Sequence, residues 1–381
     1  MITRIYIDNY KCFSNFEYKP GQNQLLLGRN GSGKSTVFEV IRMLKALVLR
    51  GALVSDLLDV TTLTRWQRRA KQTFEIEVKA GPARYRYALV IDHGRREDAC
   101  DIDEERLESS DGADGEWCPL FARFGDSATI YSDEGGSVER LILDRRRTLI
   151  SLLDPHRGPN RLFGFRSRMA TIYCVQLEPR TMTARSEVEV AEPVPGLSDY
   201  ASWYRHLAQE STRTITTLAE YLSDVLDGFE SLDLKDDGGG RRVLVVHLKP
   251  ESGPAEAYRF DEISDGQRVL IALYTVAAHI AVRSAPGGTG LTFCVDEPEN
   301  YLGLIELQPW IHTLGEAMDG AAIAQVLIAS HHPEFIDYYA HTDAIRFYRQ
   351  DGGQARLAAF SGESAGSLLP SEVVARGWED D

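Results

Sequence analysis

The spacing of apolar residues divides the chain into stretches of different period. Residues 2 to 7 alternate polar and apolar, the period of a half-buried strand. Leu25-Leu26-Leu27 is a short apolar run of the kind a fully buried strand carries. Val37, Val40, Ile41, Leu44, Leu47 and Val48 then fall on one helical face. Gly51 is placed to stop that helix, because glycine enters the left-handed conformation of a helix end at little cost. Beyond residue 70 the period returns to two. Phe74 to Val78 and Tyr85 to Val90 are expected strands, joined by a turn at Gly81-Pro82 and followed by more short strands and polar turns.

Ser186 to Asp199, with Pro193 and Pro195, is expected to be a loop. Helical patterns return at 200 to 227, and Val243 to Leu248 reads as a strand. Further on come an expected helix Gln267 to Arg283, strand Leu291 to Val295, helix Ile305 to Met318 and strand Gln325 to Ala329. A final hairpin is expected from Ile345–Tyr348 and Arg356–Phe360, turning at Asp351-Gly352-Gly353. The alternation of strand and helix at both ends of the chain predicts an α/β core. Residues 1–60 and 255–381 would build it, residues 70–180 would form an inserted antiparallel β-rich subdomain, and 198–250 a helical segment and strand.

Composition narrows the class. At 381 residues and 43% hydrophobic content the chain can fill a sizeable core. No run of eighteen apolar residues occurs and Met1 to Tyr10 lacks signal-peptide regions, so a soluble cytoplasmic protein with no membrane partner is expected. The five cysteines (Cys12, Cys100, Cys118, Cys174 and Cys294) are scattered without a CxxC pair and read as reduced packing residues. A net charge of −15 argues against general polyanion binding. The charge is uneven, with ten arginines between Arg140 and Arg185 and a smaller cluster, Arg65, Arg68, Arg69 and Lys71, around Trp66. Such patches can hold nucleic acid locally, or they can pair with acidic stretches such as Asp92 to Glu116.

Gly28-Arg29-Asn30-Gly31-Ser32-Gly33-Lys34-Ser35 matches G-x-x-x-x-G-K-[ST] between an expected strand and an expected helix. Backbone N–H groups of such a loop turn inward at a helix N-terminus and cradle phosphate oxygens. Asn30, Gly31, Ser32, Gly33, Lys34, Ser35 and Thr36 are the candidate ATP-binding residues. Lys34 would reach the β- and γ-phosphates, and the Ser35 hydroxyl would ligate Mg²⁺. Leu291 to Glu297 is the expected second half: a buried strand delivers Asp296 to Mg²⁺ and Glu297 to the attacking water as general base. Ile263-Ser264-Asp265-Gly266-Gln267 precedes an expected helix, a place suited either to a γ-phosphate or to an ordinary helix cap. Ala329-Ser330-His331-His332-Pro333 follows the next strand and offers a histidine to the γ-phosphate, His331 in the first place and His332 as the alternative.

In this order the motifs resemble those of ABC-type ATPases. Ile263–Gln267 resembles the LSGGQ signature, with Asp265 where a glycine usually stands, and His331 matches the switch histidine. The chain is most similar to RecF/OLD-like prokaryotic ATPases, the SMC/RecF class of ABC heads. Ile5 to Phe13 is similar to their I-x-N-[YF]-[KR]-x-F opening, and Asp296-Glu297-Pro298-Glu299-Asn300 to their DEPE Walker B. The resemblance implies a single discontinuous ABC-type head over 1–381 and an ATP-sandwiched homodimer in which Ser264, Gly266 and Gln267 serve the opposite subunit's nucleotide. It also implies a Mg²⁺-proximal glutamine, for which Gln176 is the candidate, and a basic residue near the nucleotide, for which Lys11 is. The class further implies an ATPase that acts with a separate effector such as a nuclease in antiviral defence, or a RecF-like nucleotide-gated DNA clamp. OLD-like nucleases carry an added TOPRIM domain. No such domain is expected in the stretch after the hairpin, and Asp101-Ile102-Asp103 is expected to be a solvated acidic loop.

Overall fold

The computed structural model describes residues 1–94, 100–112, 115–132, 136–153, 160–283, 290–320, 322–340, 343–349, 352–360 and 368–377. Its residues fall into two compact units. The first comprises Met1–Tyr173, Leu291–Cys294 and Gln325–Asp381; the second comprises Cys174–Gly290 and Val295–Ala324.

The first unit contains an eight-stranded antiparallel sheet. Its order is Phe16–Tyr18, Ile2–Asp8, Lys71–Ala80, Ala83–Asp92, Asp101–Asp111, Cys118–Phe124, Ser127–Tyr131 and Ser137–Ile142. In Lys71–Ala80 the residues Phe74, Ile76 and Val78 are buried while their neighbours are not, the alternation that fixes which face of a strand packs inward. The expected hairpin is present, with Phe74 opposite Leu89 and Val78 opposite Tyr85. Asp101-Ile102-Asp103 is not a loop. It opens a strand, and the carboxylates of Asp101 and Asp103 lie within 3.9 Å and 3.8 Å of Arg145. Lys71 reaches Asp103 at 2.7 Å, Arg161 reaches Asp111 at 2.7 Å and Arg146 reaches Asp144 at 2.6 Å. Much of the basic character between Arg140 and Arg185 is thus spent on acidic neighbours. Arg157 and Asp154 lie outside the described residues.

Glu105 and Arg123, both without exposed surface, lie 3.7 Å apart inside this sheet. Glu105 accepts from Tyr87 and from the backbone N–H of Leu149, while Arg123 donates to the carbonyls of Gly125, Asp144 and Arg147. Burial raises the Glu105 pKa despite these donors. The bonds pin residues 144–150 to the sheet, and Thr148 Oγ1 in turn donates to Leu47 O.

A six-stranded sheet has the order Ile172–Val175, Leu291–Asp296, Ile323–Ala329, Asn23–Leu27, Ala344–Arg349 and Ala355–Ala359. Ile323–Ala329, Asn23–Leu27 and Ala344–Arg349 run parallel, and the last strand returns antiparallel. Leu291–Asp296 is buried at every position, Thr292 and Asp296 included, and a strand covered on both faces is accordingly mostly apolar. The final hairpin is present, although Asp351 of its expected turn lies outside the described residues. Lys34–Lys45 is α-helical and Ala46–Arg50 continues as a π-helix, ending at Gly51 with φ 61° as its glycine led one to expect.

The second unit holds helices Tyr200–Glu210, Thr212–Val225, Asp265–Arg283 and Leu304–Asp319. Beside them a small antiparallel sheet has Arg242–Leu248 paired with Arg185–Ser186, Phe229–Asp236 and Glu256–Arg259. Phe229–Asp236 and Glu256–Arg259 are strands that the apolar pattern did not announce, because most of their residues are exposed or half-buried. No described helix is long and apolar enough to cross a membrane, and no disulfide forms among the described residues.

Candidate functional site

The loop Gly28–Gly33 connects strand Asn23–Leu27 to helix Lys34–Lys45. Gly28, Gly31 and Gly33 all have left-handed backbones, at φ 136°, 79° and 117°. At Gly28 and Gly33 space is also short. A Cβ on Gly28 would sit 2.1 Å from Phe347 O, and one on Gly33 about 3.0 Å from the Phe13 ring. Only glycine can make this turn against these neighbours. Arg349 Nη1 donates to Gly31 O at 3.4 Å, and its guanidinium lies 5.8 Å from the centre of the exposed Trp66 ring. A cleft of about 470 Å³ separates the loop from Arg346–Arg349.

Lys34 is 5% exposed, and its Nζ donates to Gly28 O at 2.5 Å and Arg29 O at 3.5 Å. It also lies 2.8 Å from His331 Nε2. An ammonium has only donors, so Nε2 accepts in this pair and the ring proton is assigned to Nδ1. His332 has different work: its Nδ1 accepts from Glu334 N at 3.3 Å, capping helix Pro333–Tyr339. The geometry therefore separates the two histidines, and His331 is the one facing the loop. Ser32 Oγ is buried and makes no hydrogen bond among the described residues. A buried hydroxyl without a partner calls for one, and a phosphate oxygen held by the loop fits it. Ser35 is exposed at the first turn of the helix and Thr36 half-buried. Lys11 is held by Glu39, with Nζ 2.6 Å from both carboxylate oxygens.

In the second unit Asp296 is 3% exposed at the end of its strand. Glu297 follows with φ 47°, a left-handed conformation that costs a non-glycine residue about 1 kcal/mol. Asn300 Nδ2 donates to Glu297 Oε2 at 2.9 Å, and Asn300 N donates to Glu297 O at 3.2 Å. Gln176 is half-buried just after Ile172–Val175, its N–H donating to Pro195 O at 3.1 Å.

Ser264 caps the helix that begins at Asp265. Its Oγ accepts from Gln267 N at 3.2 Å, while Gln267 Oε1 accepts from Ser264 N at 3.0 Å, a reciprocal capping box. Gly266 and Gln267 stand in the first helical turn and not before it. Asp265, where the related motif has glycine, pairs with Arg268 at 2.5 Å and Arg180 at 3.4 Å. Sequence reasoning missed Asn300 as the partner of Glu297 and Arg349 as the partner of the loop apex. Asn300 lay in plain view three residues after Glu297; nothing in the sequence points from Arg349 to Gly31.

No family model matches the chain, and a search of curated proteins returned no match. Among solved structures the chain is similar to an SMC head domain from Thermotoga maritima, at 12% identity over 94% of this chain and 99% of that one, with a TM-score of 0.45. It is similar also to an Smc head domain with an extended coiled coil bound to the C-terminal domain of ScpA, from Pyrococcus furiosus (13% identity, 99% of each chain, TM-score 0.44). A third is an Smc head domain with a coiled coil and joint from Pyrococcus yayanosii (12% identity, 99% of each chain, TM-score 0.43). Similarity this low transfers no activity and no partner to this chain.

Proposed function

We propose that this chain is an ABC-type ATPase that binds MgATP at Gly28–Thr36 and hydrolyses it with Glu297 as general base. The observation that carries the reading is the loop itself. Three left-handed glycines, a buried lysine and an unpartnered serine hydroxyl surround the place a phosphate would take, with His331 beside the lysine. On nucleotide binding the Lys34 ammonium would exchange the loop carbonyls for β- and γ-phosphate oxygens, and His331 would hydrogen-bond the γ-phosphate.

Ser35, Asp296 and Gln176 offer oxygen donors, the hard ligands Mg²⁺ prefers. Such an ion would be held by one carboxylate, a hydroxyl, waters and substrate phosphates. Mg²⁺ would neutralise developing phosphate charge. Glu297 would orient the attacking water and take its proton.

In this reading Ser264, Gly266 and Gln267 complete the nucleotide site of a second copy, so that ATP holds a homodimer together. The resemblance to RecF/OLD-like ATPases supports a switch acting on a separate effector such as a nuclease in defence. DNA binding is the second reading, and the exposed Arg65, Trp66 and Arg68 favour it.

Calorimetric titration of Lys34→Ala with MgATP tests the site: no measurable binding by the folded variant is expected, and unchanged affinity sinks the assignment. Mixing Lys34→Ala with Ser264→Arg tests the shared site. One of the two composite sites in their heterodimer pairs an intact loop with an intact signature, so hydrolysis should appear on mixing two inactive proteins. A mixture with neither activity nor ATP-dependent dimers, where the native chain shows both, overturns the dimer.

A further inference from the structure

Gly266 is a glycine for a reason in its own chain. Its backbone is not left-handed, yet a Cβ there would lie 2.7 Å from Tyr301 O, a backbone atom that cannot swing aside as a side chain can. The carbonyl belongs to the turn that follows Glu297. That turn has a non-glycine left-handed residue at each end, Glu297 at φ 47° and Tyr301 at φ 76°. It closes on itself through Asn300, whose side chain and N–H both donate to Glu297, and through Leu302 N, which donates to Glu299 O at 3.0 Å. Residues held in sparsely populated conformations stay there only while their surroundings over-determine them.

On the other side of the contact the helix start is firm. The capping box of Ser264 and Gln267 fixes it, Asp265 pairs with Arg268, and Arg268 Nη1 donates to Pro179 O at 2.6 Å.

We propose that Gly266 and Tyr301 are positioning residues for Glu297 in the same chain, so that movement of the signature helix start is read directly by the catalytic carboxylate. This rests on the assignment of Glu297 as general base, and it goes beyond the role proposed for Gly266 toward the opposite subunit. A ligand engaging the helix N-terminus would shift Tyr301 through the close carbonyl contact. The Asn300 tether would carry that shift to Glu297 Oε2 and leave Oε1 for water. The signature would then report in both directions, across to the partner's nucleotide and back to its own base.

The test begins without nucleotide, so that it does not depend on activity. Amide hydrogen exchange of the full chain is measured for the native protein, Gly266→Ala, and Gly266→Ala with Tyr301→Gly. Gly266→Ala should raise exchange across 297–302 at least about tenfold while the buried middle of helix Asp265–Arg283 stays protected. A glycine at 301 lets the peptide turn its carbonyl away from the new methyl, so the double variant should return toward native exchange. Unchanged exchange in Gly266→Ala, or no recovery in the double variant, overturns the proposal.

The activity arm is a double-mutant cycle on kcat and KM for ATP. Gly266→Ala should lower kcat, and Tyr301→Gly should recover part of it; a methyl that acted only on the partner's phosphate would not be relieved by Tyr301→Gly. If Gly266→Ala does not fold, Asn300→Ala tests the tether, with kcat falling about tenfold at unchanged KM; unchanged kcat overturns the proposal. Should the exchange pattern hold while even the native chain hydrolyses no ATP, the coupling stands and the ATPase reading fails.

Discussion

The loop Gly28–Gly33 and the turn Glu297–Leu302 both follow a strand of the six-stranded sheet, yet they reach left-handed geometry by opposite means. The loop uses glycine at each such position, at φ 136°, 79° and 117°, and so carries no strain for it. The turn uses Glu297 and Tyr301 at φ 47° and 76°, where side chains are disfavoured by about 1 kcal/mol each. Under the proposed roles, the difference follows from what each would present. A phosphate cradle is made of backbone N–H groups, and side chains would block it. The proposed general base would act through a side chain, so glycine cannot take its place and the backbone of Glu297 bears the strain.

The largest effect that could break this comparison is chemical. Glu297→Gln should slow ATP hydrolysis roughly 10²–10⁴-fold while leaving binding intact, measured by phosphate release beside calorimetry. A normal rate would show that the strained turn does not present the base, and Glu299 would become the candidate.

Next comes stability at the loop. Gly28→Ala places a methyl 2.1 Å from Phe347 O at φ 136° and should cost about 3 kcal/mol by urea denaturation. Gly31→Ala, at φ 79° with open space around it, should cost only about 1 kcal/mol. Equal costs would mean that close packing is not what requires Gly28.

Acid should separate the two regions. His279, 6% exposed in the helix that carries Gly266, has its pKa lowered to about 4, by burial first and by Arg283 and His206 after it. Its folded pKa lies below the unfolded value, so its full contribution is present above pH 6.5 and is lost as pH falls toward 4. Between pH 7.5 and pH 5 the native chain should lose about 2 kcal/mol from this group, and His279→Leu should lose correspondingly less. Hydrogen exchange should show helix Asp265–Arg283 loosening before Lys34–Lys45. Identical acid sensitivity of the variant and the native chain would remove His279 from the account.

The smallest expected effect has the opposite sign to Gly28→Ala. Tyr301 is half exposed, so Tyr301→Gly gives up little packing and relieves the left-handed strain, while glycine's unfolded-state entropy offsets part of the gain. The net change should be neutral or stabilising by less than about 1 kcal/mol. A clear loss of stability would mean that the turn is packed and not strained.

Much of this protein was legible because one chemical requirement fixes one residue type at a fixed spacing. The glycines and Lys34 of Gly28–Lys34, the mostly apolar strand that ends at Asp296, the period-two hairpin of Phe74–Val78 and Tyr85–Val90, and the stop at Gly51 are all local demands of backbone geometry or burial. A local demand leaves a local trace. Tertiary structure alone decided the rest, because those features depend on which distant segment arrives. Only packing turned His331 to Lys34 at 2.8 Å and gave neighbouring His332 to a helix cap. Only strand pairing set Ile2–Asp8 beside Lys71–Ala80 in the antiparallel sheet, and moved Asp101–Asp103 from a presumed loop into a strand. Gly266 shows the limit most sharply. Its sequence context explains a helix start, but the need for a missing side chain comes from a carbonyl thirty-five residues further along, which contributes no letter of its own to the pattern.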